Sequence, residues 1–250
     1  MNLSRRNFLF KSATGAAALA SIPNIVSASI PASGIKKIVF ETDDVVLFQG
    51  DSITDAGREK EKELPNNAGS FGGGYAFLAA SYLLNAFPKK EMTIYNRGIS
   101  GNKVYQLAER WQKDCIDLKP DVLSILIGVN DYWHKRNGQY DGTIEIYEND
   151  YRKLLQSTKE KLPGIKFVIC EPFYVLETTA VDETWVEPMK KYQEAALKIA
   201  KEFDANWVPF QKVFDEAVKH APGKYWTGDG VHPSMAGAQL MAQAWLKAVE

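Results

Sequence analysis

The sequence predicts an α/β fold in which a parallel β-sheet is covered by helices on both faces. Short apolar runs alternate along the chain with longer segments whose apolar residues recur at helical spacing. The runs at 45–48 and 121–127 are apolar almost throughout, which is typical of strands buried on both faces of a parallel sheet. A single domain is expected, because 250 residues with 45% hydrophobic composition are enough for one sizeable core.

The individual elements follow from this alternation. After a short edge strand at 37–39, strands are predicted at 45–48, 92–95, 121–127, 166–170 and 206–208. Helices are predicted at 75–87, from 102 towards 117, and at 143–162, 186–203, 211–220 and 235–249. Pro88 ends the first of these helices, and Ser234 caps the last one.

The first 28 residues have the pattern of a signal peptide, which leaves a domain at 29–250. Arg5 and Arg6, followed by Phe8, Leu9 and Lys11, resemble a twin-arginine signal, and an alanine-rich apolar stretch comes next. That stretch is too short for a stable membrane anchor, and Val-Ser-Ala at 26–28 suits a signal peptidase. A basic leader for the general secretion route is the alternative. Both predict a protein exported to the periplasm or beyond, the first through the twin-arginine machinery.

Charge and cysteine content exclude several classes of partner. Thirty basic residues nearly balance thirty-one acidic ones, so the chain has no electrostatic footprint for nucleic acid or for an anionic membrane. No cysteine follows the apolar stretch of the leader, which argues against a lipoprotein anchor. Cys115 and Cys170 are expected to be free thiols, because twin-arginine cargo folds in the reducing cytoplasm. A disulfide remains open in an oxidising compartment.

Polar turns that contain glycine follow the first three central strands. Gly50-Asp51-Ser52 follows the first, a turn ending in Gly101 follows the second, and Asn130 follows the third. Because the carboxyl ends of parallel strands meet at one edge of a sheet, these turns are expected to face one crevice. Taken alone, Gly-Asp-Ser is equally typical of a turn that caps the next helix.

A fourth segment completes the groups that an acyl-transfer site requires. Ser52 can act as nucleophile and His232 as its base, while Asp229 can orient the imidazole. The backbone amides of Ser52 and Gly101 and the side-chain amide of Asn130 can donate to the oxyanion.

The same blocks carry a family resemblance. Gly-Asp-Ser-Ile-Thr at 50–54, Asn96 with Gly101, Gly-Val-Asn-Asp at 128–131 and Asp-Gly-Val-His-Pro at 229–233 resemble, in order and position, the blocks of the SGNH (GDSL-type) hydrolases. The resemblance implies a three-layer α/β/α sandwich with a flavodoxin-like five-stranded parallel sheet. It also implies a Ser-His-Asp esterase, with Ser52, Gly101, Asn130 and His232 in the family's name positions and Asp229 as third triad member. Gly98 is the alternative oxyanion donor.

Two hypotheses from other classes remain. Asp131 with His134, and Asp229 with His232, form two Asp-x-x-His pairs that, together with Asp51 and Asp55, could belong to a metal-dependent phosphoesterase. In that case neither Ser52 nor the side-chain amide of Asn130 would have a role in the reaction. A carbohydrate-binding protein without activity is the other alternative, since aromatic residues could stack on sugar rings near the crevice: Tyr132, Trp133, Trp185 and Trp226.

The expected function is that of an exported serine esterase that needs neither cofactor nor metal. Removal of acetyl groups from a polysaccharide such as xylan or pectin fits export, the lack of a long lid insertion and an aromatic rim. Trp133 and Trp226 are the predicted sugar-contacting residues on that rim. A lysophospholipase or thioesterase of the same family is the alternative.

Overall fold

The computed structural model describes residues 21–30 and 36–250. Its centre is a five-stranded, all-parallel sheet in the order β2-β1-β3-β4-β5. The strands are β1 (Val45–Gly50), β2 (Thr93–Asn96), β3 (Val122–Leu126), β4 (Lys166–Cys170) and β5 (Asn206–Val208). This confirms the predicted flavodoxin-like order. The segment 37–39 is not a strand; Ile38 instead donates its backbone N–H to the carbonyl of Val249, 2.8 Å away.

Helices cover both faces of the sheet. In chain order they are α1 (Ser21–Ser29), α2 (Ser52–Asp55), α3 (Tyr75–Ala86), α4 (Val104–Asp114), α5 (Val129–Arg136), α6 (Ile144–Lys161), α7 (Val186–Glu202), α8 (Phe210–Ala217), α9 (Gly223–Trp226) and α10 (Met235–Val249). Short 3₁₀ turns occupy Ala68–Ser70, Pro88–Lys90, Ile116–Leu118 and Glu183–Trp185. The described helices include none long and apolar enough to cross a membrane.

The core lies in two layers, one on each side of the sheet. On one side α3 packs against α10, and the ring of Phe48 on β1 lies 5.0 Å from that of Trp245. On the other side α6 lies between α4 and α7, where Trp111 donates to Thr158 Oγ1 at 2.8 Å. These contacts bury the apolar faces that the helical periodicity predicts, so three layers form around one sheet.

Residues 21–30 also contact the domain. Helix α1 packs against α8 and α10, and Ile25, Val26 and Ile30 are buried there. This segment includes the end of the predicted signal peptide, whereas Arg5 and Arg6 lie outside the described residues. The cleavage site after Ala28 therefore stays a prediction. Cys115 and Cys170 are both buried and free, in agreement with the expected thiols.

Candidate active site

The polar turns after β1, β2 and β3 converge at one edge of the sheet. The register pairs Phe48 with Asn96 and Gly50 with Leu126, so the three strands end at nearly the same level. After β1 the chain forms β2 on one side of this strand and then β3 on its other side. Such a change of direction opens a crevice at the carboxyl ends of the strands. Ser52 lies in this crevice as the first residue of α2.

The turn from β1 into α2 depends on glycine. Gly50 has a φ of +156°, and a Cβ at this position would lie 2.3 Å from the carbonyl oxygen of Leu126. Asp51 then caps α2, because its Oδ1 accepts from the backbone N–H of Ile53 at 3.0 Å. The helix cap and the candidate nucleophile are therefore adjacent residues, so the capping interpretation is confirmed and leaves Ser52 free to act as nucleophile.

A chain of hydrogen bonds joins Ser52, His232 and Asp229. Ser52 Oγ lies 2.8 Å from His232 Nε2, and His232 Nδ1 lies 2.6 Å from Asp229 Oδ2. The other carboxylate oxygen of Asp229 accepts from the backbone N–H groups of Val231 and His232, at 2.9 and 2.8 Å. These bonds fix the carboxylate, so the imidazole presents Nε2 to the serine.

The pKa values of Asp229 and His232 suit proton transfer along these hydrogen bonds. Burial opposes ionisation of Asp229, but the hydrogen bonds from His232 and Val231 outweigh it and lower the pKa of Asp229 to about 2. The hydrogen bond to Asp229 in turn raises the pKa of His232 above its ordinary value, although burial acts in the opposite direction. His232 is thus a stronger base than a free imidazole.

Three N–H donors in the turns after β1, β2 and β3 are available to an incoming ligand. Among the described residues, the backbone N–H groups of Ser52 and Gly101 have no hydrogen-bond acceptor. Asn130 Nδ2 donates to the carbonyl of Asn102 at 3.3 Å and has a second hydrogen to offer. The N–H of Gly98, by contrast, donates to Asn96 Oδ1 at 2.9 Å. Gly101 is therefore the available glycine donor.

Asn96 and Asp55 hold the second turn against the first. Asn96 Nδ2 donates to the carbonyls of Thr54 and Phe71, at 2.7 and 2.8 Å. Asp55 Oδ2 accepts from the N–H and hydroxyl of Ser100, at 2.9 and 2.7 Å. Asn96 and Asp55 therefore position the turn that carries Gly101 against the one that carries Ser52.

Two carboxyl groups lie buried beside the hydrogen-bonded chain. Asp51 and Asp131 each have one oxygen with no hydrogen-bond partner in the described structure. Burial raises the pKa of Asp51 to about 7, against the opposing charge of His232. Burial likewise raises the pKa of Asp131 to about 7, and the charge of Asp51 adds to this shift. At least one of these carboxyl groups is therefore readily protonated near neutral pH.

The aromatic residues predicted at the rim divide into two groups. Trp133 is half-buried, and its ring centroid lies 6.4 Å from that of His232. Trp226 was wrongly predicted at the rim: only 3% of it is exposed, and its indole N–H donates to the carbonyls of Ala217 and Ala221. Trp185 is also buried, with its ring 5.3 Å from that of Trp133.

The two Asp-x-x-His pairs have different surroundings. His232 bonds to Asp229, but His134 Nδ1 lies 3.0 Å from Lys103 Nζ, and Asp131 accepts from the backbone N–H of Val104. Across residues 21–30 and 36–250, no three His, Cys, Asp or Glu side chains are grouped as a metal site would need. These positions therefore give the phosphoesterase hypothesis no support.

Comparison with known proteins shows the family to which the chain belongs. The model of the GDSL-like lipase/acylhydrolase family matches residues 48–240. An acetylxylan esterase from Geobacillus stearothermophilus is 34% identical over 211 residues, which cover 82% of this chain and 93% of that protein.

Solved structures give the same result. A protein from Parabacteroides merdae described as a GDSL-like lipase is 51% identical, with a TM-score of 0.84 over 86% of this chain and 99% of that one. The acetylxylan esterase Axe2 from Geobacillus stearothermophilus is 32% identical, with a TM-score of 0.76 over 85% of this chain and 96% of that one. The chain belongs to the GDSL-like lipase/acylhydrolase family and is a carboxylic ester hydrolase.

Proposed function

We propose that the protein is an exported serine esterase that removes acetyl groups from carbohydrate through Ser52, His232 and Asp229. The hydrogen-bonded chain from Ser52 Oγ through His232 to Asp229 carries this proposal. It supplies a nucleophile, a base and a group that orients the base, within reach of three oxyanion donors.

In the first half of the reaction, Ser52 Oγ attacks the ester carbonyl as His232 Nε2 takes its proton. The negative charge that develops on the carbonyl oxygen accepts hydrogen bonds from the N–H groups of Ser52 and Gly101 and from Asn130 Nδ2. Asp229 stays ionised and stabilises the imidazolium. The tetrahedral intermediate then collapses, and His232 returns the proton to the leaving sugar oxygen.

In the second half, water releases the acyl group from Ser52. His232 takes a proton from the water as its oxygen attacks the acyl carbonyl, and the same three donors hold the second oxyanion. Collapse breaks the bond to Ser52 Oγ, which recovers its proton from His232. The products are acetate and the free sugar hydroxyl, and the enzyme returns to its starting state.

The openness of the site supports a carbohydrate ester as substrate. The side chain of His232 is 46% exposed, so the reacting groups are accessible from the surface and a bulky alcohol portion can remain in solvent. The half-buried Trp133 beside His232 offers a ring face for sugar stacking. Similarity over almost the full length of a protein named acetylxylan esterase supports the same substrate class.

The test compares acetate release from acetylated xylan or pectin with fatty-acid release from lysophospholipid. We expect acetate release by the wild type, its loss in Ser52→Ala, and wild-type rates in Ser81→Ala, a matched change on the exposed side of α3. Fatty-acid release alone would refute the carbohydrate proposal and favour the lysophospholipase alternative. Loss of activity on chelation by EDTA would refute the serine mechanism.

Export is the second part of the proposal, and it rests on the leader sequence. Replacing both Arg5 and Arg6 by Lys should leave the protein in the cytoplasm if the twin-arginine route is used. Cell fractionation and N-terminal sequencing of the exported form measure this. Unchanged export of the double variant would indicate the general secretion route instead.

A further inference from the structure

A buried lysine lies one side chain away from the oxyanion donors. Lys103 precedes α4 and is only 6% exposed, with its Nζ 5.6 Å and 5.4 Å from the ring centroids of Tyr105 and Tyr140. These two rings stack on each other at 5.7 Å. In the described part of the chain, the hydrogen-bond partner of Nζ is His134 Nδ1 at 3.0 Å.

This contact fixes the protonation state of His134. Burial lowers the pKa of Lys103 below its ordinary value, and the charge of Asp131 opposes this shift. The two aromatic rings near Nζ favour the ammonium form. An ammonium group has three donors and no acceptor, so His134 Nδ1 must accept. Burial and the charge of Lys103 both lower the pKa of His134, which keeps the ring neutral. The ring proton of His134 therefore resides on Nε2.

The Nε2–H of His134 has no partner among the described residues, and its ring contacts the turn that carries Gly101. His134 Cε1, the ring carbon between Nδ1 and Nε2, lies 3.8 Å from where a Cβ on Gly101 would be. Nε2 makes no hydrogen bond within the described residues, and it is not among their buried unpaired atoms, so it is open to solvent. A neutral N–H donor thus belongs to a ring that contacts the turn at Gly101, the glycine proposed as an oxyanion donor.

We infer that His134 is a specificity-determining residue whose Nε2–H donates to a sugar hydroxyl next to the acetylated carbon. The inference rests on the proposed carbohydrate substrate and adds to it the group that recognises the alcohol portion. In the sugar, the hydroxyl on the carbon next to the acetylated one lies beside the ester. In the protein, His134 lies beside Gly101, which is proposed to bind the ester oxygen, so the two groups can meet. Lys103 acts as the positioning residue, because it holds the tautomer that can donate.

The geometry of the two amide side chains gives a matched pair of variants. In His134→Asn the side-chain amide reaches the place of Nδ1, so it can accept from Lys103 but offers no donor at the place of Nε2. In His134→Gln the amide nitrogen reaches the place of Nε2 and keeps the donor. His220→Asn, at an exposed histidine after α8, is the control for the same chemical change.

The experiment measures kcat/KM on an acetylated xylooligosaccharide and on an aryl acetate, which has no sugar hydroxyl. We expect the ratio of the two values to fall about 3- to 10-fold in His134→Asn, mainly through KM on the saccharide, as for loss of one neutral hydrogen bond. In His134→Gln the ratio should stay close to the wild-type value, and in His220→Asn it should equal that value. An unchanged ratio in His134→Asn would refute the inference and leave the proposed function intact.

If the wild type releases no acetate from saccharides, the proposed function itself fails, and this inference with it. A ¹⁵N spectrum of the histidine side chains gives an independent readout. It should show a neutral His134 protonated on Nε2, with that preference lost in Lys103→Met, which keeps an unbranched apolar side chain beside the tyrosines. A proton on Nδ1 of His134 in the wild type would overturn the assignment.

Discussion

At the scale of single residues, the ionised Asp229 determines how basic His232 is. The neutral form of His232 is the base, so activity should rise with pH through the raised pKa of this histidine, above its ordinary value of about 6.5. In Asp229→Asn the main raising interaction is lost while burial still acts, so the midpoint of the acidic limb should move to lower pH. The measurement is the pH dependence of kcat/KM on an aryl acetate.

The rate of Asp229→Asn on the plateau should also fall, because an amide can support the wrong tautomer of His232. In a serine protease the equivalent change costs about 10⁴-fold in kcat. Asp51 also faces His232, and its own pKa is about 7, so the acidic limb reports a coupled set of groups. If the midpoint of the acidic limb does not move in Asp229→Asn, a group other than His232 paired with Asp229 controls it.

Asn130 tests the oxyanion site separately from the base. Removing the donor by Asn130→Ala should lower kcat about 10²- to 10³-fold, equivalent to about 2.7–4 kcal/mol, because the donor acts mainly on the transition state. KM should change little. Asn137→Ala, at the exposed end of the same helix, is the matched control and should keep wild-type rates. A loss of kcat below about threefold would remove Asn130 from the oxyanion site.

Single residues also show where inference from sequence stops. Ser52, Gly101 and Asn130 could be placed at one edge of the sheet from strand order, because each follows a strand end. Asp229 and His232 precede the last helix, and the packing of that helix beside β1 brings them to the same edge. Trp226 could not be placed in this way. A loop tryptophan near the last block can face outwards or inwards, and here the carbonyls after α8 accept its N–H and hold it in the core.

At the scale of elements, the sequence predicted most strands and helices to within a few residues. The largest difference is α5, because the segment after β3 was expected to be a turn. Gly128, with a φ of +133°, lets the helix begin directly after the strand, so Asn130 lies in its first turn. The contact of His134 with Lys103 joins helix α5 to the residue just before α4, 31 positions earlier in the chain. No periodicity in the sequence predicts this contact.

Helix α1 gives a prediction about the boundary of the domain. Cleavage after Ala28 would remove Ile25 and Val26, which are buried against α8 and α10. Full burial of such a side chain contributes about 1.5–3 kcal/mol. The free energy of unfolding of a protein beginning at Ser29 should therefore be smaller than that of one beginning at Ser21, by on the order of 3 kcal/mol. The shorter protein should unfold at a lower urea concentration.

Equilibrium urea unfolding of the two proteins measures this difference. Ile25→Ser in the longer protein should shift the midpoint in the same direction. Equal midpoints for the two lengths would show that α1 does not stabilise the domain. N-terminal sequencing of the exported protein then determines which length the cell produces.

At the scale of the whole molecule, the fold makes a site from residues that are far apart in sequence. Ser52 and His232 are separated by 180 positions, yet α10 packs beside α3 over β1 and brings the loop before it to the end of that strand. The alternation of strands and helices predicted this layering. It could not predict the side-chain contacts across loops, because those depend on packing that leaves no repeat in the sequence.

The central claim is that Ser52 carries the acyl group of the substrate. Its most direct test is to mix the enzyme with an acetylated xylooligosaccharide bearing an isotope-labelled acetyl group, quench with acid, and map the peptides by mass spectrometry. We predict labelled acetyl on the peptide at Ser52, and none when Ser52→Ala is treated in the same way. Sustained acetate release without acetyl on Ser52, from an enzyme that also resists a fluorophosphonate probe, would contradict the account.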